Sequence, residues 1–410
     1  KKITPSMSQA QQLEKIQRIH NQEKKIVKFK ALVDECVRAI PSNNEDSLSE
    51  IVKFVVESVG ESEFPVSSSV ITYIGQEISK LSNEILLDMC QSFIQILRPK
   101  EMFYSEQIMT ISKILSEVHQ ADSDFRSAGQ ILTQVNLDEQ RFLSSAVKCE
   151  WWVTTAELFL ASNDSVTAST HIKKCHHEIH KVPQSKECQH IHIRYKNAYA
   201  RVLDNERRFL DAAIRYIEVS QLDWSELVSE ADLIHSLENA ATCAILAQAG
   251  PPRARVLGMI YRDERSSQLS NYRFLEKMFK EHIIRGPEVD KFDSILQPHQ
   301  QAELTGGLTV LQKAVNEHNM LAASKVYNNI KFCELGQLLG VSKDDAEQIA
   351  ARMIQEKRMK GNIDQIDEIM EFENTSAEPL LNWDRQIDEI CRGVNDVLER
   401  ISQIGPEYEY

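Results

Sequence analysis

The feature that most constrains the fold is a helical spacing of apolar residues that runs through most of the chain. Between Leu13 and about Ala302, apolar side chains recur three and four positions apart, which places them on one face of a helix. The clearest stripes are Leu13, Ile16, Ile19 and Ile26; Leu48, Ile51, Val55 and Val59; and Ile108, Ile111, Leu115 and Val118. Breaks that separate runs of about 10 to 20 residues fall at Pro41, Gly60, Pro65, Pro99 and Asn163. The pattern predicts a succession of helical hairpins.

The glycine and proline content agrees with long helices joined by short connections. The 410 residues include only 13 glycines and 11 prolines, about 3% each against a usual 7% and 5%. Strand-rich folds need more of these turn-forming residues. We therefore expect a mostly all-α protein.

The charge and hydropathy of the chain argue against two classes of partner. The formal net charge is -14 at pH 7, and such an acidic surface repels nucleic-acid phosphates and anionic lipids. No apolar stretch approaches the roughly 20 residues of a membrane-spanning helix, and residues 1–12 lack the apolar core of a signal peptide. We expect a soluble intracellular protein with no membrane partner.

The cysteine spacing argues against both disulfides and a zinc module. The closest pair among the eight cysteines is Cys175 and Cys188, and no C-x-x-C motif occurs. Because unpaired cysteines behave as small hydrophobic residues, most of them are expected in the core.

One segment resembles stacked helical repeats. Residues 195–219 place small side chains close to aromatic ones, the pattern by which paired helices of tetratricopeptide-like repeats approach each other. The residues concerned are Ala198, Ala200, Ala212 and Ala213 with Tyr199, Phe209 and Tyr216. Residues 151–180 look like a looser copy, with Asn163-Asp164 as the turn. Stacked repeats expose a long curved surface, which suits the binding of partner proteins.

The pattern changes after the sequence LTGGL at residues 304–308. The expected elements are a long helix carrying Leu308, Leu311, Val315, Ala322 and Val326, an extended piece at 330–332, a helix at 334–339 closed by Gly340, a second helix, and strands at 363–366 and 369–372. Ser342 can cap the second helix together with Asp345. This order of elements predicts a winged helix, although Asp367-Glu368 lacks the glycine that two-residue hairpin turns prefer.

The last segment carries the most regular pattern in the sequence. Its apolar residues alternate by four and three positions, as in a heptad repeat: Trp383, Ile387, Ile390, Val394, Val397, Ile401 and Ile404. At 1.5 Å per residue they form a seam about 30 Å long that has to be covered. Because the preceding sequence ENTSAEP is polar, we predict a helical bundle with partner proteins. The alternative is that this helix folds back onto its own winged helix.

A histidine-rich segment raises the question of metal binding. Six of the twelve histidines lie within residues 171–192, and His176 and His180 are one helical turn apart. No compact set of four ligands has a fixed spacing, so we interpret the segment as a solvated polar face. We predict no metal site and no cofactor.

The sequence lacks two catalytic motifs that its composition could suggest. His190 and His192 match the start of a metalloprotease pattern, but Ala200 and Leu203 stand where that pattern requires serine and aspartate. No glycine-rich phosphate-binding motif is present either. We predict that the chain is not an enzyme and has no catalytic residues.

Nucleic-acid binding is the second functional class that a winged helix allows. The second helix of the wing opens with Asp344, Asp345 and Glu347, where a groove-reading helix would present hydrogen-bond donors. The basic residues lie elsewhere, at Arg352, Lys357, Arg358 and Lys360 and at Arg253, Arg255, Arg262 and Arg265. We therefore favour a scaffold over a nucleic-acid-binding protein, and filter binding at moderate salt would distinguish the two.

Five stretches of the sequence resemble the PCI family, in which a helical-repeat arm runs into a winged helix. They are residues 202–220, 244–266, 275–286, 317–330 and 350–367, mostly in the C-terminal half. Members of this family occur in the proteasome lid, the signalosome and the translation initiation factor three complex. The five stretches are most similar to the signalosome branch.

The resemblance implies a function. It implies a non-catalytic scaffold subunit of the signalosome, which supports assembly and the recognition of cullin-RING ubiquitin ligases for removal of the ubiquitin-like modifier from cullins. The implied partners are other PCI and MPN subunits and, through the N-terminal arm, the ligase, in the cytoplasm and nucleus. A PCI subunit of the proteasome lid or of the initiation factor complex is the alternative.

The resemblance also implies two contact regions, because in this family the winged helices join edge to edge and the C-terminal helices form one bundle. For the wing edge we predict the strand Ile369, Met370, Glu371 and Phe372. The predicted domains are a helical-repeat arm at 1–302, with the PCI helical part from about 195, a winged helix at 303–373, a linker at 374–382 and a bundle helix at 383–410.

Overall fold

The computed structural model describes residues 21–39, 45–59, 63–78, 83–101, 103–137, 143–222, 228–303, 307–372 and 379–404, together with Leu13 and Ile16. These residues form helices and one small sheet, which confirms the predicted mostly α fold class. They divide into two compact units, residues 1–202 and 203–410. No helix of the described ranges is long and apolar enough to cross a membrane.

The first unit is a series of helices that pack against their neighbours in the sequence. The helices are α1 (Gln22–Ala39), α2 (Glu45–Phe54, continued by a π-helical turn at Val55–Val59), α3 (Phe64–Ile78), α4 (Asn83–Leu97), α5 (Ser105–Ala121), α6 (Phe125–Thr133), α7 (Ser145–Ala161), α8 (Ser165–Glu178) and α9 (Gln189–Asn205), which crosses the unit boundary. Contacts run between helices one or two apart, such as α1 with α3, α5 with α6 and α7 with α8. This is the contact pattern of a helical-repeat arm.

The predicted apolar stripes form the core of this unit. Leu48, Ile51 and Val55 of the second stripe are buried, and so are all four residues of the third. Leu13 and Ile16 of the first stripe are buried as well. Among the predicted breaks, Pro41 and Gly60 lie outside the described residues, as do the side chains of Ile19 and Val59.

The same left-handed turn ends several helices of the chain. Ser123, Asn163 and Arg207 all adopt a left-handed backbone with φ near 60°. In each case the next residue's N–H donates back to the helix it leaves, for example from Asp164 to the carbonyl of Phe159 at 2.9 Å. Asp164 then caps α8 by accepting a hydrogen bond from the backbone N–H of Thr167. The predicted turn at Asn163-Asp164 is therefore confirmed.

The second unit begins with a helical part: α10 (Phe209–Ser220), α11 (Glu230–Leu246), α12 (Pro251–Tyr261), α13 (Tyr272–Phe279), α14 (Gly286–Asp293) and α15 (Val310–Val326). The predicted long helix α15 starts after Leu308, because Thr309 caps it in a reciprocal capping box with Gln312. Leu311, Val315 and Ala322 are buried as predicted. Val326 is the last residue of the helix and is exposed, whereas Leu308, predicted to belong to the helix, precedes it.

The winged helix follows with the predicted order of elements: β1 (Asn329–Lys331), α16 (Phe332–Leu339), α17 (Lys343–Gln355), β2 (Gly361–Asp364) and β3 (Ile369–Phe372). Gly340 ends α16 in the left-handed conformation, and Ser342 caps α17 by accepting from the N–H of Asp345. Ala346, Ala350 and Met353 pack into the wing core. The two-helix element and its hairpin are thus confirmed.

The hairpin turn differs from the predicted two-residue turn. Strand β2 ends at Asp364, and a four-residue loop at 365–368 connects it to β3. The carboxylate of Asp364 accepts hydrogen bonds from the N–H groups of Ile366 and Asp367 at 2.9 and 3.2 Å. Glu368 takes the left-handed conformation, with φ of 57°. The side chain of Asp364 stabilises the loop, which is why no glycine is needed.

The last helix, α18, runs from Pro379 to Ile404. It therefore begins before Trp383, and the last part of the predicted linker at 374–382 is helical. A proline in the first turn fits this start, because the first N–H groups of a helix have no partner inside it. Residues 373–378 lie outside the described part.

Candidate protein-interaction site

The C-terminal helix exposes an apolar stripe along its length. The seam residues whose side chains are described are 51–67% exposed, namely Trp383, Ile387, Ile390, Val394 and Val397. Ile401 and Ile404 belong to the same helix, but their side chains are outside the described part. No described side chain of α18 is buried. The exposure of these five seam side chains favours a partner bundle over folding back onto the winged helix.

The rest of α18 indicates where the apolar stripe widens. In heptad terms Ile390 and Val397 occupy d positions, and Cys391 and Leu398 follow them at e positions, exposed as well. The opposite face is charged, with an ion pair between Arg392 and Asp388 at 2.9 Å. A stripe of a, d and e positions is wider than a two-helix seam requires and suits a bundle of several helices.

The predicted wing edge does not exist in the structure. The strand order is β1-β3-β2, so residues Ile369, Met370, Glu371 and Phe372 form the central strand and are paired on both sides. The prediction was wrong because β1, a strand of only three residues that precedes the two helices, pairs with the other side of β3. Met370 is fully buried in the wing core.

The accessible edges of the sheet are β1 and β2. Alternate backbone groups of β2 face away from β3 and are free to pair with another strand. Gly361, at the start of β2, sits against β3 so closely that a Cβ atom there would be 2.6 Å from the carbonyl oxygen of Glu371. The position of this edge therefore depends on a glycine.

A buried polar cluster joins the winged helix to the helical part of the second unit, and sequence reasoning missed it. Its centre is Glu317 of α15, which accepts hydrogen bonds from Arg358 at 2.5 and 3.2 Å and from the N–H of Ala249 at 3.3 Å. Arg358 also donates to the carbonyl of Ala249. The signal in the sequence was four consecutive polar residues, 316–319, in the middle of α15.

The next residue of α15, His318, extends this cluster. Its Nδ1 accepts from the guanidinium of Arg253 at 3.1 Å, and its Nε2 donates to the carbonyl of His282 at 3.0 Å. Burial, together with the neighbouring guanidinium, lowers the pKa of His318 to about 4. Burial likewise lowers the pKa of Arg253 to about 10. The imidazole is therefore neutral at pH 7, and the cluster holds the helices in one arrangement.

Three of the basic residues considered for nucleic-acid binding are held by other groups of the chain. Arg253 and Arg358 are held inside the polar cluster. Arg265 pairs with Asp263 at 2.7 Å. The first turn of α17, where a groove-reading helix would meet bases, is acidic. These contacts oppose the nucleic-acid alternative.

The histidine-rich segment is only partly the solvated face that we predicted. His176 is exposed and bonded to the hydroxyl of Tyr195 at 2.7 Å, and His180 is exposed. His171 is buried instead, with its ring stacked on Phe159 at a centroid distance of 5.9 Å. It faces inward because it follows the buried stripe of α8. The described residues contain no group of three His, Cys, Asp or Glu side chains placed to hold a metal.

The residues compared with the metalloprotease pattern lie in ordinary helical surroundings. His190 is exposed, and burial lowers the pKa of His192 below its usual range. Ala200 and Leu203 are buried in helix packing.

Of the eight cysteines, Cys333 and Cys391 are exposed and Cys188 is half-buried. The other five are buried, as predicted for most of them.

Comparison with known proteins matches all three parts of the chain. The family profile described as PSMD12/CSN4, N-terminal, matches residues 7–226, the PCI domain profile matches 293–374, and the CSN4/RPN5/eIF3a helix turn helix domain profile matches 378–409. The COP9 signalosome complex subunit 4 of Arabidopsis thaliana is 35% identical, with 94% of this chain and 96% of that protein covered. The proteins of the same name from Dictyostelium discoideum and Drosophila melanogaster are each 34% identical, covering 97% and 91% of this chain and 97% and 90% of their own lengths.

Proposed function

The chain belongs to the COP9 signalosome subunit 4 family, and we propose from this that it is a non-catalytic scaffold subunit of a signalosome. The observation that carries the proposal is the exposed apolar seam of α18, because a helix with such a stripe is stable in water only when a partner covers it. The proposed neighbours are other PCI and MPN subunits. The proposed cellular location is the cytoplasm and nucleus.

The seam can be tested with two adjacent substitutions on the same helix. Val394→Asp places a charge in the seam, and Asn395→Asp places the same side chain one position away on the polar face. Both positions are exposed in the chain by itself, so both variants should melt at the temperature of the unmodified chain. Only Val394→Asp should fail to co-purify with signalosome subunits from cells. Equal recovery of both variants would contradict the proposal.

The same co-purification separates the alternatives. A proteasome lid or initiation factor subunit would bring down the other members of those complexes instead. The relatives quoted above align along nearly their full length and carry the signalosome name, which supports the signalosome over either alternative.

A second contact is proposed at the edge of the wing. In place of the central strand predicted from sequence, strand β2 is the edge that a neighbouring winged helix would extend. Ile363→Pro removes a backbone N–H that faces away from β3, because Asn362 is the residue of β2 that pairs with Glu371. We expect weaker binding of a PCI partner with unchanged helical content, and an unchanged affinity would place the contact elsewhere.

The N-terminal arm is the proposed contact for the cullin-RING ligase. Within the arm, the first unit of the chain has an open cleft of about 520 Å³ with Met109, Val147 and Trp151 in the lining. Val147→Asp would place a charge in this cleft, whereas Val166→Asp is a control at a residue that is more exposed and is not part of the cleft lining. A complex reconstituted with Val147→Asp should bind the ligase more weakly than one with Val166→Asp. Equal affinities would exclude this cleft.

A further inference from the structure

A second cleft, in the helical part of the second unit, has no role in the function proposed above. It has a volume of about 440 Å³ and lies between α14, α15 and the end of α16. Apolar side chains such as Val289, Val315 and Leu338 form part of its lining. Its polar lining consists mainly of side-chain amides, and three of them lie on one face of α15: Gln312, Asn316 and Asn319.

Asn319 shows how a side-chain amide on this face of α15 binds a polypeptide backbone. Its Oδ1 accepts a hydrogen bond from the backbone N–H of Ile284 at 2.9 Å, and its Nδ2 donates to the carbonyl of the same residue at 2.9 Å. This two-point contact pairs the side-chain amide with both polar groups of one backbone residue. Ile284 belongs to a stretch outside the helices, just before α14.

Asn316 lies one turn away on the same face and lacks such a partner. Its side chain is only 6% exposed, yet no described residue forms a hydrogen bond with it. It lines the cleft together with Asn319. The small exposed part of this residue lies at the cleft, so its amide atoms are accessible to a bound molecule there.

We propose that this cleft binds an extended peptide segment of a partner protein, with Asn316 pairing to its backbone as Asn319 pairs to Ile284. The apolar lining would receive a neighbouring side chain of the same segment. The charges at the cleft are balanced, with Arg285 and Asp290 at its lining. A neutral, amide-lined and partly apolar cleft suits a polypeptide backbone better than a phosphate or a metal ion.

The test uses the full-length chain and a phage library of linear 12-residue peptides. The library is first depleted on the N316L variant and then selected on the unmodified chain. A selected peptide should bind N316L and N316A roughly tenfold more weakly or worse, since two hydrogen bonds are lost. Methylation of the peptide backbone nitrogen that bonds Asn316 should weaken binding to the unmodified chain by a similar factor. The same methylation should not weaken binding to N316L any further.

Stability measurements separate binding from a structural role. N316L should melt at or above the temperature of the unmodified chain, because its amide has no partner to lose, whereas N319L should melt at a lower temperature because it loses the contact with Ile284. The proposal is overturned if no peptide survives the depletion, if selected peptides bind N316L and N316A as well as the unmodified chain, or if N316L is as destabilised as N319L.

Discussion

The buried pair of Glu317 and Arg358 makes a quantitative prediction about the second unit. The side chains of Glu317 and Arg358 are 4% and 11% exposed, and the carboxylate accepts hydrogen bonds from two guanidinium nitrogens of Arg358. The substitution Glu317→Gln keeps the size of the side chain but removes its charge. It leaves two buried guanidinium groups, those of Arg358 and Arg253, near a neutral side chain.

The expected cost follows from this burial. Removing one partner of a buried ion pair leaves an uncompensated charge and costs about 3 to 5 kcal/mol of unfolding free energy. Arg358 also contacts Glu356 at 2.7 Å, but that carboxylate is 40% exposed. The matched control Glu356→Gln should therefore cost less than about 1 kcal/mol, as for other solvent-exposed ion pairs. Both variants remove a carboxylate that pairs with Arg358, one buried and one partly exposed.

Hydrogen exchange of the backbone amides of α15 is the appropriate assay, because it reports the opening of this unit independently of the first. A loss of 3 kcal/mol corresponds to exchange that is roughly a hundredfold faster. We expect that increase for Glu317→Gln and a change of a few-fold at most for Glu356→Gln. If Glu317→Gln accelerates exchange no more than its control, the polar cluster does not hold the winged helix to the helical part.

Three further predictions concern other parts of the chain. The pKa of His318 is about 4, below its usual value near 6.5, so the unfolded chain binds more protons than the folded chain between these pH values. The free energy of unfolding should therefore fall by about 3 kcal/mol on acidification across that range. In urea unfolding, His318→Gln should reduce this dependence of stability on pH. Gly361→Ala should destabilise the winged helix by about 1 to 3 kcal/mol because of its contact with β3, whereas Gly393→Ala, with open space around it, should stabilise α18. The purified chain should not cleave modified cullin even with added zinc, because Ala200 and Leu203 cannot replace the serine and the zinc ligand; measurable turnover in an isopeptidase assay would contradict this.

Local patterns determined the helices, their caps and the order of elements. The spacing of Leu48, Ile51 and Val55 fixes one buried face whatever that face packs against, because a helix presents every third and fourth residue on one side. Ser342 capped α17 as predicted, since the cap and its partner are three residues apart. The seam of α18 could likewise be read directly, because it is a property of one helix.

What the sequence by itself determined is therefore what lies within one or two turns of the chain: helical arm, winged helix and an apolar C-terminal stripe. Only the tertiary structure decided which strand is central, because β1 comes from before the two helices and pairs with β3 across them. It also decided the roles of Glu317, His318 and Asn319, whose partners lie 35 or more positions away in the chain. Hydrogen bonds of that range depend on how helices pack, and local spacing carries no information about them.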